Sequence, residues 1–509
     1  MLSVSANNKR IAKNTIFLYV RMFLIMAINL YASRVILAKL GVEDFGIYNV
    51  VGGVVTMMAF LNTSLTSGFQ RFFNIALGKE DNEEFKKLFS VSIACQFLLA
   101  LFALVLTESI GIWFLNNKMT IPESRMVAAQ WVYQSAIVVF FITLFTSPLN
   151  AVVISIEKMN IYALISIFQS VLKLGVVYMI DLFEADKLII YSLLIVVIDY
   201  IVWVFYFISV RKNCPGLSFK PDFDRPRLKR IASFSGWNLF GSCSHMMKSQ
   251  GINIVLNMFF DPAINAARGI AYQVMSGVKS FYGSFQTAAR PQSMKYYAKG
   301  EQQMMIKLSY DISRLSFMLL WIITLPLLFT TRYILDIWLR PNMPEYAPIF
   351  TQIILLTSIV EVFGPPIATI VHATGKMKKY QLVCGFTIML IVPIAYFFLK
   401  VGYPPESAMY VSLAMLVVVH FIRLLLVKEL VDFSISDYLK RCIMPCIFVG
   451  CVSLVIPLLL LLFRINNSLH PLMMFAICFL CGCASIWVIG LSKNEKNLIF
   501  NKIKNKISK

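Results

Sequence analysis

Apolar runs of about 20 residues, the length that crosses a hydrocarbon core of roughly 30 Å, recur from one end of this chain to the other. A backbone in hydrocarbon must satisfy its own N–H and C=O groups, and runs of this length do so as helices. Fourteen of them are centred near Leu24, Thr56, Leu98, Phe140, Leu172, Val197, His245, Ser276, Leu320, Leu356, Met389, Met415, Leu454 and Phe479. With 58% hydrophobic and 14% charged residues, the 509-residue chain has too little polar surface to cover a water-soluble globule. The reading is an all-α, polytopic membrane protein.

The runs are also duplicated. Phe145 to Tyr162 reads FTSPLNAVVISIEKMNIY, and Phe363 to Tyr380 repeats its landmarks, with Phe145 over Phe363, Pro148 over Pro366, Lys158 over Lys376, Met159 over Met377 and Tyr162 over Tyr380. An offset of roughly 218 to 225 residues gives about six helices per copy. The domains expected are a first bundle over 1–210, a basic linker over 211–230, a second bundle over 231–430, two further helices over 431–491 and a basic tail over 492–509. Six is even, so both copies enter the membrane with the same polarity, related about the membrane normal. The matched prolines, Pro148 in helix four and Pro365 and Pro366 in helix ten, predict paired bends, because proline removes a backbone donor.

Lys9, Arg10 and Lys13 run into an apolar stretch too long for a signal peptide, so the first helix is expected to stay. Segments on one side hold about 30 of the 47 basic residues and the other side about 7, which places both termini in the cytoplasm. Anionic lipid headgroups account for the net charge of +21, and no nucleic-acid partner is expected. Cys478, Cys481 and Cys483 cluster inside an apolar run with no His or carboxylate beside them, so they read as small residues at helix contacts. No metal and no cofactor is implied.

Polar residues at depth carry the functional reading. At 100° per residue, Arg268, Tyr272, Lys279, Gly283, Gln286 and Arg290 fall within about 40° of one another on helix eight. Asn238, Ser242, His245, Ser249 and Asn253 make a second polar stripe on helix seven, within about 80°. Arg268 and Arg290 are placed either to snorkel to the two interfaces or to face a cavity. Lys279 lies near mid-membrane, where a cation costs at least roughly 2.5 to 3.5 kcal/mol and needs a partner or water. Arg21, Arg34, Arg71, Lys173 and Lys248 add to the basic set, against the clearest deep acids, Asp199 and Glu361. The excess predicts a solvated cationic lumen that attracts an anion, with Asp199 and Glu361 either coupling sites for a proton or sodium or members of buried pairs.

No phosphate loop of the ATPase type is present, and the four histidines are dispersed without metal-ligand spacing. The outer loops are short, which leaves no room for an active-site domain and disfavours a membrane enzyme such as a glycan polymerase or ligase.

The duplicated bundle with two added helices, together with SRVILAKLGVEDFGIYNVVGG from Ser33, FSGWNLFG from Phe234 and YAKGE from Tyr297, resembles the polysaccharide flippases of the MOP superfamily. That group includes O-antigen and lipid II flippases and is related to MATE multidrug exporters. The resemblance implies a V-shaped pair of bundles in a bacterial (inner) membrane, alternating between inward-open and outward-open states. The implied cargo is a polyprenyl-pyrophosphate-linked oligosaccharide, carried from the cytoplasmic to the outer leaflet. It also implies a cationic lumen, membrane lipids as neighbours, and a polysaccharide polymerase or glycosyltransferases as partners. The alternative is a MATE-type exporter of small organic cations, which would want acidic residues facing the cavity.

Overall fold

The computed structural model describes residues 59–118, 121–260, 262–339, 343–463, 470–493 and 495–497, and parts of 14–51. Among the described residues fourteen helices dominate. In chain order they are α1 (Asn14–Asn29), α2 (Ala59–Gly78), α3 (Asn82–Gly111), α4 (Glu123–Ser155), α5 (Met159–Leu182), α6 (Lys187–Asn213) and α7 (Arg225–Phe259). There follow α8 (Pro262–Ala298), α9 (Gln302–Leu339), α10 (Ala347–Thr374), α11 (Met377–Lys400), α12 (Glu406–Lys428), α13 (Ile435–Leu462) and α14 (Pro471–Gly490). Ten are long and apolar enough to cross a membrane; α1 is apolar but shorter, and α2, α7 and α8 are long and markedly more polar. This is an all-helical, multi-pass membrane protein. All the predicted centres but one fall inside these helices. Thr56 lies outside the described residues, just ahead of α2, whose Asn, Ser and Thr content lowers its hydropathy.

The helices divide into two compact units. One comprises Met1–Ser242 with Met294–Gly300, and the other Cys243–Ser293 with Glu301–Lys509. In the first unit α4 is central, packed against α2, α3 and α6. In the second α10 is central, packed against α9 and α12, while α14 lies along α9 and α13 along α14. Small residues permit the contacts of α14 and α13 with α9: a Cβ at Gly490 would collide with Met318, and the Trp321 indole donates to Ser453 Oγ at 2.8 Å. Gly68 has the same use in the first unit, since a Cβ there would meet the Ser235 hydroxyl on α7 at 2.6 Å.

The duplication extends to backbone conformation. Helix α4 ends at Ser155 and α5 begins at Met159; in the second copy α10 ends at Thr374, 219 residues later, and α11 begins at Met377, 218 residues later. In each turn one residue takes a positive φ, Glu157 at 61° and Gly375 at 76°. Each is followed by a lysine at the next helix's N-cap with nearly the same dihedrals, Lys158 at −82° and 58° and Lys376 at −83° and 66°. Glycine adopts this conformation freely, whereas glutamate does so at a cost of about 1–2 kcal/mol. Glu157 is held there by its buried carboxylate, which accepts from Lys295 Nζ at 2.7 Å.

The two proline positions differ. Pro148 lies within an unbroken α4, while α10 is interrupted at Val362–Phe363 and resumes at Gly364 ahead of Pro365 and Pro366. Pro366 cannot donate to the carbonyl four residues earlier, that of Val362, and Gln286 Nε2 on α8 donates to it instead at 3.0 Å.

The stretch between α6 and α7 is docked rather than loose. Asp222 N donates to Ser90 O at 3.2 Å, and Arg227 bridges Asp224 and Glu84 at 2.6 and 2.7 Å. The ten cysteines are free thiols, with Cys478 buried in α14.

Candidate functional site

The most polar long helices carry the basic residues. Across α2, α7 and α8 there is no Asp or Glu, yet they hold Arg71, Lys248, Arg268, Lys279, Arg290 and Lys295. A helix in lipid that carries polar groups must turn them toward protein or water, so each cation's surroundings decide its use.

In the first unit, Arg71 is buried and stacks over Phe72 and Phe234 at 4.7 and 5.0 Å from the ring centres. The Arg21 guanidinium on α1 sits over the Tyr162 ring of α5 at 4.5 Å. Lys173 on α5 pairs with the buried Asp199 of α6 at 3.4 Å, and Gln169 Nε2 donates to the same carboxylate. Arg34 lies outside the described residues. Asn238 and Ser242 belong to this unit, where the Ser242 hydroxyl donates to Asn238 O at 3.1 Å.

A buried polar cluster in this unit escaped the sequence reading. Gln96 Nε2 donates to Asn62 Oδ1 and Ser147 Oγ at 3.0 and 2.8 Å, and Thr66 shares a hydrogen bond with Ser147 at 2.8 Å. It sits beside Pro148. Neutral amides and hydroxyls barely perturb hydropathy, so only the proline signalled it.

In the second unit, the two predicted stripes meet at Arg268. Its guanidinium donates to Asn253 Oδ1 and, at 3.0 Å, to Ser249 O on α7, and it stacks on Tyr272 at 4.5 Å. Arg268 is only 3% exposed, so it clamps α7 to α8. Lys248 pairs with Glu361 at 3.4 Å, both largely buried, directly before the break in α10. Lys279 and His245, by contrast, are exposed. Arg290 approaches His372 of α10, with Nη2 3.2 Å from Nδ1.

The structure therefore gives both deep acids lysine partners, which lowers the count of uncompensated cations below what the sequence suggests. Arg423 on α12 was missed: it packs against the break at Gly364, where any Cβ would strike its guanidinium. A lone arginine inside the apolar run HFIRLLL was the available signal.

A cavity of about 240 Å³ opens within the second unit next to the break, bounded by Gly283, Arg290, Ser293, Pro366, Thr369 and His372 among others.

No protein-family description matches the chain. Among curated proteins it is similar to a membrane protein of Bacillus subtilis (strain 168), EpsK, described as uncharacterized, at 21% identity over 323 residues; the match takes in 63% of this chain and spans only 64% of that protein's length. Among solved structures it is similar to a MATE protein in a bent conformation, with a TM-score of 0.73 and 12% identity over 83% of this chain and 95% of the other. It is similar to a MOP superfamily transporter from Pyrococcus furiosus, reported with a binding pocket of reversed polarity that suggests a different function, with a TM-score of 0.68 and 13% identity over 82% and 95%. The MATE transporter ClbM in complex with Rb+ gives 0.70 and 13% over 84% and 96%. At these identities the likeness is one of fold, and the fold of this chain is that of the MATE proteins of the MOP superfamily.

Proposed function

We propose that this protein moves an anionic, lipid-linked oligosaccharide across a bacterial (inner) membrane, as a flippase for polyprenyl-pyrophosphate-linked repeat units. The observation that carries the reading is the charge of its polar helices, ten cations and no carboxylate over α2, α7 and α8. A cation cargo would be repelled by such a surface, and a pyrophosphate is attracted to it. Lys279, exposed near the middle of α8, is the cation available to the pyrophosphate; Arg268 positions α7 and α8. Hydroxyls and amides of α7 receive sugar groups, and the prenyl tail stays in the bilayer. Transport proceeds by alternating access, and holding must be moderate enough for release. Both termini face the cytoplasm on this reading, and a polymerase or glycosyltransferases supply or consume the cargo.

A second reading is a cation-coupled exporter of the MATE type. Glu361 favours it, as a carboxylate buried at the break in α10 where a proton or sodium ion competes with Lys248. Liposomes containing the purified protein and a fluorescent polyprenyl-pyrophosphate sugar separate the two. Wild type moves the lipid between leaflets, and Lys279→Ala slows it about tenfold or more. Absence of lipid movement, with uptake of a cationic dye against protons or sodium, replaces the flippase by the exporter.

A further inference from the structure

We propose that the cavity beside the break in α10 is a binding site for a phosphoryl group. Its donors converge without a carboxylate to consume them. Arg290 Nε is buried and has no hydrogen-bond partner, and Ser293, 0% exposed, has its hydroxyl unpartnered as well. Arginine only donates, so His372 Nδ1 accepts from Arg290 Nη2, and the neutral ring carries its proton on Nε2. The Thr287 and Thr369 hydroxyls spend their hydrogens on Gly283 O and Pro365 O, at 2.8 and 2.9 Å, which leaves Arg290 and Ser293 as the donors to spare.

No Asp or Glu is among the lining residues. A cavity lined by an arginine with an N–H still unpaired, and by no acid, suits an oxyanion and repels a metal cation. Its volume of about 240 Å³ falls below the roughly 300–1,000 Å³ of pockets for drug-sized ligands. It therefore takes one small charged group, and excludes an oligosaccharide or a prenyl tail. A lipid headgroup, a prenyl pyrophosphate and free phosphate all present that group. The site does not depend on which cargo the protein moves.

The test is isothermal titration of the purified full chain in detergent with inorganic phosphate, pyrophosphate and farnesyl pyrophosphate. At least one binds saturably, and Arg290→Gln weakens it about tenfold or more. Gly283→Leu is the second variant, because a Cβ at Gly283 meets open space and the larger side chain fills the cavity while suiting a helix. It abolishes binding with Tm unchanged, so it decides the matter if Arg290→Gln fails to fold. Lys279→Ala, which tests the transport reading, leaves this binding intact. Repeating the titration in nanodiscs of phosphatidylglycerol and of phosphatidylcholine identifies the source: loss of binding in phosphatidylglycerol alone assigns the site to an anionic headgroup, and equal binding in both assigns it to the phosphate ligand. Wild type that binds none of the three, or binding equally strong in both variants, overturns the proposal.

Discussion

Lys248 and Glu361 show how one residue's value depends on its neighbour. Neither was within reach of the other by sequence spacing, since 113 positions separate them. Removing one member of a buried pair costs about 3–5 kcal/mol, whereas replacing both by apolar residues is close to neutral. Glu361 keeps some solvent contact, so the lower end applies here. Lys248→Met should therefore lower Tm in detergent by the equivalent of about 3 kcal/mol, and Lys248→Met with Glu361→Leu should recover most of it. Recovery means the pair is structural; unchanged Tm in the single variant means it contributes nothing to stability. The sequence revealed both residues because charge in an apolar run is conspicuous. It concealed Ser293, because a polar residue on a polar helix carries no mark of whether it meets the cavity, and it concealed the approach of Arg290 to His372, which 82 positions separate.

At the scale of elements, the paired turns between α4 and α5 and between α10 and α11 make a controlled comparison. Gly375→Ala forces an alanine into the left-handed region and should destabilise by about 1–2 kcal/mol, read from the midpoint of denaturant unfolding. No loss would mean the turn relaxes into another conformation. A second element-level tie lies at the starts of α4 and α6, where Arg125 donates to Asp44 Oδ1 at 2.8 Å and also pairs with Asp186. Burial alone would raise the Asp186 carboxyl pKa, but hydrogen bonds from Arg125 and from the Ile189 and Leu188 amides outweigh it and hold it below its ordinary value. A carboxyl depressed on folding stabilises above its unfolded pKa, near 3.9, and that contribution disappears as pH falls through the lower, folded one. Tm should hold steady from pH 7 to 5 and fall below about pH 4, and Asp186→Asn, which still caps α6, should flatten that fall. A wild-type profile matching that of the variant would remove Asp186 from the acid response.

For the whole molecule, the all-helical membrane fold was legible because membrane length survives in the sequence, whereas the two compact units part at Ser242 and Cys243, inside α7, and not at the expected linker over 211–230. The span centred on Thr56 lies outside the described residues, and the adjoining α2 carries Asn, Ser and Thr residues that lower its hydropathy. The cavity was hidden for a different reason: it forms where α8, α9 and α10 converge, and no single helix encodes it. The two added helices bring one more difference. They cover α9, whereas its counterpart in the first copy, α3, exposes Phe97, Leu98, Leu101, Phe102 and Val105. Lipid chains thus press directly on a helix adjoining α4 but are kept from α9 by α14. Mismatch between a helix and bilayer thickness costs fractions of a kcal/mol per Å, and here that strain falls unequally: a thinner membrane deforms the first copy before the second, so the bilayer itself biases one half of a duplicated machine.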